Sequence, residues 1–256
     1  MAKQIDQEIE YYYDTHPTEE DLMGESSFHA DTVDYLVLVL RWLFRGQLCA
    51  IYKNLNFYQT RNRREYPLVP DIAVLKGVAQ AKVISWKIWR TGMVPQVVFE
   101  ILSGETWDKD LTEKPQKYAQ LGVEEYFAYD PHVPPVVQDR SHRLFGWQLD
   151  KARGEMVELV PDAEGRLWSN QLDSWLVPDG DYLRLYDRNN QRRLTQTEAE
   201  VAAREAADKR VELEARRANA EARRANAEAR RADAEARKRE ALAEKLRSLG
   251  INPDEI

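Results

Sequence analysis

The sequence predicts an α/β protein: a mixed sheet flanked by helices, followed by a long, separate α-helix towards the C-terminus. Three observations carry this. Short β-rich apolar runs recur between residues 47 and 160, an apolar stripe of helical period precedes them, and from about Thr195 a seven-residue repeat of helix formers replaces both. With 256 residues, 43% of them hydrophobic, the chain can bury one sizeable core or two small ones.

Residues 1–25 read as an acidic, peripheral segment. They hold eight acids against the single Lys3, so this stretch alone accounts for the net charge of −7 and leaves the remainder near neutral. An acidic chain of this kind is not a constitutive nucleic-acid binder, whose affinity would come from Lys and Arg meeting phosphates. It is compatible with an enzyme whose acidic site takes a metal first. The start has no apolar signal region, and the longest apolar run, "YLVLVL", is too short to span a bilayer. A lone cysteine, Cys49, has no disulfide partner, which fits a reducing, cytoplasmic setting. His16, His29, His132 and His142 are scattered without a zinc-ligand spacing and read as surface or satisfied core residues.

Residues 26–190 read as the main domain. In "HADTVDYLVLVLRWLF", Val33, Leu36, Val37, Leu40, Leu43 and Phe44 recur at three-to-four spacing, with Asp31 available as a cap, which predicts a helix lying on a sheet. The candidate strands are "QLCAIYKNLNFYQ", "DIAVLK", "QVVFEILS", "EYFAYD", "RLFGWQL" and "MVELV". Between the third and fourth, "TEKPQKYAQLG" predicts a helix ended by Gly122, with Thr112 as its cap and Pro115 in the first turn, where a missing N–H costs no intrahelical bond. "LWSNQLDSWLVPDGDYLRLYD" closes this body.

Residues 195–249 predict a single long helix, a coiled-coil candidate. "EARRANA" from Glu214 and Glu221, "EARRADA" from Glu228 and "EARKREA" from Glu235 repeat every seven residues. Alanines 215, 222, 229, 236 and 218, 225, 232 line a narrow seam in the a/d manner. Glu–Arg pairs three and four residues apart add about 0.2–0.5 kcal/mol each. An alanine seam buries little, so Val211, Leu242, Leu246 and Leu249 would provide most of the grip in a homo-oligomer; the other reading is a solvated single helix. Along the chain its cations alternate with acids, unlike a DNA-binding basic region.

The chemistry is carried by two acids placed in apolar surroundings. Asp71 stands at the mouth of one apolar run, and Glu100 stands inside another, between Phe99 and Ile101. A carboxylate there must be met by a cation, hydrogen bonds or a metal ion. If the two strands are neighbours, both acids can point at one Mg²⁺ or Mn²⁺ site.

Proline-aspartate at 70–71, Glu100 followed by Ser103, and the block from Asp110 through Lys114, Tyr118, Gly122, Val123, Glu125 and Tyr126 to "YDP" resemble the bacterial putative restriction endonuclease family of the PD-(D/E)XK nuclease superfamily. The resemblance covers roughly residues 20–150 and implies a restriction-endonuclease-like fold and a metal-dependent endonuclease. By that resemblance Asp71 and Glu100 hold the metal, and an acid from the first helix, for which Glu25 is the candidate, joins them. The lysine usual two positions after the second acid is absent, because position 102 is leucine. Lys114 on the following helix takes its place in the pattern, with Lys117 one turn on as a rival. Asp110 reads as a cap or a partner of Lys114, and Gly122, Glu125 and Tyr126 as structural.

Two basic stretches are candidates for meeting nucleic acid, DNA being the expected substrate: "RNRREY" with Arg61, Arg63 and Arg64, and "AKVISWKIWR", where Lys87 lies between Trp86 and Trp89. The rival reading makes the first a solvated loop and the second a helix whose tryptophans pack on the body. The missing strand lysine leaves a second class of function open, a catalytically inactive nuclease-fold module that binds or assembles through its tail. No Walker loop, dinucleotide fingerprint, nucleophile elbow or zinc motif offers another chemistry.

Overall fold

The computed structural model describes residues 26–61, 66–138, 142–180, 182–248 and 250. The first helix, α1 (Ser27–Leu43), starts one turn earlier than its apolar stripe, because the Ser26 side chain accepts the His29 N–H at 3.3 Å and acts as the cap. Asp31, the expected cap, is an exposed residue inside the helix. Thr32, Val33, Leu36, Val37, Val39 and Leu40 form the buried stripe.

Among the described residues six strands make the main sheet: β1 (Cys49–Lys53), β3 (Ile72–Lys76), β5 (Val97–Ile101), β6 (Glu125–Tyr129), β7 (Leu144–Asp150) and β8 (Glu155–Glu158), in the order β1-β3-β5-β6-β7-β8. Only β5 and β6 pair in parallel; the other neighbours are antiparallel, so the sheet is mixed as predicted. The parallel step needs a crossover, supplied by α3 (Trp107–Thr112) and α4 (Lys114–Leu121). Gly122, with φ of 91°, adopts the left-handed conformation that stops α4. Thr112 is not the cap of α4: its hydroxyl donates back to the Asp108 carbonyl at 2.6 Å, inside α3. Pro115 does fall in the first turn of α4.

The long first strand expected over 47–59 is broken. Asn54 takes a positive φ of 49°, and the chain resumes as β2 (Phe57–Tyr58), which pairs in parallel with β4 (Trp86–Lys87). The "AKVISWKIWR" stretch is therefore not one helix but a short strand and a single turn, α2 (Ile88–Thr91). The closing segment forms a second, antiparallel sheet from β9 (Leu167–Ser169), β10 (Ser174–Asp179) and β11 (Tyr182–Tyr186).

Strand alternation gives the main sheet two apolar faces. Ile51, Ile72, Val74, Val97, Phe99, Phe127 and Leu144 pack with α1 and with Leu167, Leu176, Leu183 and Leu185 of the small sheet. On the other face Val98, Leu102, Tyr126, Ala128 and Phe145 pack with Tyr118, Ala119 and Leu121 of α4. Gly146 in β7 marks the close approach of the small sheet, since a Cβ there would lie 2.7 Å from Leu167 Cδ1 and 2.9 Å from the Phe127 ring. Glu125, buried at the head of β6, ties the two sheets together: it accepts the Ser169 hydroxyl and the main-chain N–H groups of Asn170 at 2.8 Å and Gln171 at 3.2 Å.

The chain divides into two compact units, residues 1–197 and 198–256. The helix of the second, α5 (Gln196–Ser248), runs 53 residues and buries none of them. The uninterrupted helix agrees with the repeat; pairing with a second helix is a separate matter. Among the described residues no helix is long and apolar enough to cross a membrane.

Candidate functional site

Register decides where the two acids meet. Ile72, Ala73 and Val74 of β3 face Phe99, Val98 and Val97 of β5, so one step beyond the strand sets Asp71 across from Glu100. Residues directly opposed on antiparallel strands share a face. Glu100 points to the side covered by α4, and Asp71 stands near enough for its charge to act on Glu100. Asp71 Oδ2 accepts the Ile101 N–H at 2.7 Å, a bond that locks its position on the neighbouring strand, and His29 Nε2 of α1 lies 3.1 Å from the same oxygen.

Glu100 is 2% exposed in the middle of a strand buried on both faces. Its Oε1 accepts the Tyr118 hydroxyl at 2.6 Å and stands 3.0 Å from Lys114 Nζ. Burial pushes its carboxyl up to about 8; Lys114 works against that rise, whereas the nearby negative charges of Asp71 and Asp110 add to it. A negative charge at this point is therefore costly without a cation, and Lys114 is the cation at hand.

Lys114 reaches the site from the first residue of α4, with its ammonium between Glu100 and Asp110 Oδ1, the latter at 2.6 Å. Burial draws its pKa down, but the two carboxylates outweigh burial and hold it above the ordinary lysine value, so it stays charged. Asp110, 1% exposed, is itself held by the Thr106 hydroxyl at 2.8 Å, and its carbonyl accepts the Tyr126 hydroxyl at 2.8 Å. Asp110 is therefore the partner of Lys114. Lys117 points elsewhere: its ammonium pairs with Glu113 at 2.9 Å on the exposed side of α4. Tyr118 is pushed well above the usual phenol range by burial and by Glu100, so it remains a neutral donor, and its ring packs against Tyr126, which stacks on Trp147.

Of the sequence candidates, Asp71, Glu100 and Lys114 come together, while Glu25, Arg63 and Arg64 lie outside the described residues. Arg61 and Lys87 find other partners: the Arg61 guanidinium lies over Trp89 at 4.6 Å, and Lys87 donates to the Ser85 hydroxyl at 3.2 Å. Trp86 is buried and donates to the Met93 carbonyl at 2.9 Å, so it is a core residue; Trp89 remains exposed. By sequence His29 is an ordinary surface or core histidine. It carries no spacing signal, because its neighbour Asp71 lies 42 residues away.

Among the described residues no group of three or more His, Cys, Asp or Glu side chains closes around one point. Asp71 and Glu100 are the two carboxylates that could hold a cation here, a pair that would suit Mg²⁺ or Mn²⁺ better than an all-protein zinc cage, because Mg²⁺ keeps several waters and takes one or two carboxylates together with substrate phosphates.

The family comparison agrees with the sequence resemblance. The profile of the Uma2 family, described as "Putative restriction endonuclease", matches residues 4–172. A crystal structure titled as a putative nuclease belonging to DUF820, from Anabaena variabilis ATCC 29413, is similar over 58% of this chain and 75% of that one, at 16% identity and a TM-score of 0.41. Among curated proteins, none matches the chain.

Proposed function

The chain belongs to the Uma2 family of restriction-endonuclease-like proteins, and from that premise we propose that its main domain hydrolyses phosphodiester bonds in DNA with Mg²⁺ or Mn²⁺ as cofactor. One observation carries the reading: Asp71 and Glu100 face each other across β3 and β5, with the Lys114 ammonium on Glu100. Asp71 and Glu100 would hold the cation, whose chemistry is to polarise the phosphoryl group and acidify a bound water. The Ile101 N–H orients Asp71, and Tyr118 orients Glu100. Lys114 now bridges Glu100 and Asp110; with substrate present it places positive charge where the phosphorane develops negative charge, and Asp110 keeps it aimed. The loss of lysine from position 102 is met in this way from the helix. Leu102 itself is wholly buried and part of the core.

The test is plasmid nicking by the full chain with Mg²⁺ or Mn²⁺, alongside calorimetry of metal binding. The wild type nicks and binds, and Asp71→Ala does neither. A wild type that takes up no divalent ion ends the enzyme reading. Metal uptake without nicking transfers the domain to the inactive binding-module class. The alanine seam of α5 supports homo-oligomerisation, which sedimentation with and without residues 195–256 would decide.

A further inference from the structure

In sequence order the cations of α5 alternate with acids, but the helix sorts them by face. At about 100° per residue, the two alanine columns of the repeat fall on one side. Arg216, Arg223, Arg230 and Arg237 make one column on the opposite side, and Arg217, Arg224, Arg231 and Lys238 make another, with alanines 220, 227 and 234 between them. The repeated glutamates sit three and four residues from the second column only. In the first, Arg223 has just alanine and asparagine at those spacings, while Arg230 and Arg237 share Asp233 and Arg237 also has Glu240; the ion pairs Arg216–Glu212 at 2.5 Å and Arg239–Glu235 at 2.9 Å lie at the two ends of the repeat.

The face is long and exposed throughout. It extends for about 33 Å, with cations in each column about 10.5 Å apart. Seven of its eight cations are arginine, whose planar fork matches phosphate oxygens, whereas lysine would serve equally for solvation. Any coil formed through the alanine columns would leave this side outermost.

We propose that this arginine face is a docking surface for double-stranded DNA. A regularly spaced row of charges suits a partner whose charges are also regularly spaced, and a duplex carries about one per 1.7 Å of axis. The face offers no aromatic ring to stack on bases, so the contact is to phosphates and independent of base sequence. Only the choice of DNA among polyanions rests on the function proposed above.

The experiment is anisotropy titration of a fluorescent DNA duplex with the full chain in EDTA, which separates binding from cleavage, over a series of salt concentrations. R216Q/R223Q/R230Q/R237Q should weaken binding and reduce the slope of log K against log salt by about 2–4, at roughly 0.9 for each phosphate that is no longer neutralised. The matching arginine-to-lysine variant should keep most of the slope, and R223Q/R230Q should lose about half as much as the fourfold change. Circular dichroism checks that the helix persists. An unchanged slope in the fourfold variant, no duplex binding by the wild type, or equal arginine-dependent binding to phosphatidylserine vesicles would overturn the proposal. Asp71→Ala separates the two readings, since it should lose nicking while retaining the wild-type slope.

Discussion

Glu100 and Glu125 are both buried glutamates on the two parallel strands of one sheet, yet they occupy different physical situations. Glu125 lies on the face towards the small sheet and is satisfied by groups that cannot leave: a serine hydroxyl and two main-chain N–H groups. Glu100 lies on the other face, opposite a second carboxylate, and depends on an ammonium and a phenol carried by one short helix. Burial raises the carboxyl of both, and their hydrogen bonds oppose the rise. The difference teaches how to read a buried acid. Fixed main-chain donors mark architecture, whereas a facing acid and an exchangeable cation mark a place prepared for another charge.

Exchanging the two glutamates' fates is the sharpest way to break that comparison. Glu100→Gln should remove metal uptake and cut nicking by at least about 10²–10³-fold, the scale of removing a charge-stabilising group, with the fold intact by circular dichroism. Glu125→Gln should leave both readouts within a fewfold of wild type; equal losses in the two variants would erase the distinction. Lys114→Ala comes next. It should slow nicking by about 10²-fold while calorimetry still detects the metal, because the ion can neutralise Glu100 in the ammonium's place.

A stability measurement approaches the comparison from the other side. Glu125→Ala strands buried donors of the Ser169–Gln171 turn and should cost about 1–3 kcal/mol in urea unfolding, with metal affinity unmoved. The smallest effect is the pH dependence of Glu100. Its carboxyl sits at about 8 in the fold against an ordinary 4.5, so between these values the folded chain keeps a proton that the unfolded chain has released. The stabilising contribution of that proton is full below 4.5 and fades as pH rises towards about 8. Metal binding must expel the same proton, so Mg²⁺ affinity should climb over that window and level off above it. A flat profile in the wild type, or the same climb in Glu100→Gln, would contradict the assignment.

Much of the fold was legible because its signals are local. The three-to-four spacing over Val33–Leu40 needs only the helix repeat, Gly122 stops α4 through its own φ, and the "EARRANA" heptads form a helix by propensity alone. Where sequence and structure part, a non-local contact or a single backbone angle intervenes. Ser26 outcompetes Asp31 as cap, Asn54 breaks a strand that periodicity alone would continue, and β4 forms because β2 is there to pair with it.

The sequence by itself determined which groups were available: two acids in apolar runs, a lysine on the next helix in place of Leu102, and a charged repeat at the end of the chain. The tertiary structure alone decided that Asp71 stands across from Glu100, that Lys114 and not Lys117 reaches Glu100, and that His29 arrives from α1 to meet Asp71. The physical reason is that side-chain identity is written residue by residue, while strand register and helix docking are settled by the packing of whole faces. A shift of one residue in the β3–β5 pairing would move Asp71 out of line with Glu100 without altering a single local signal.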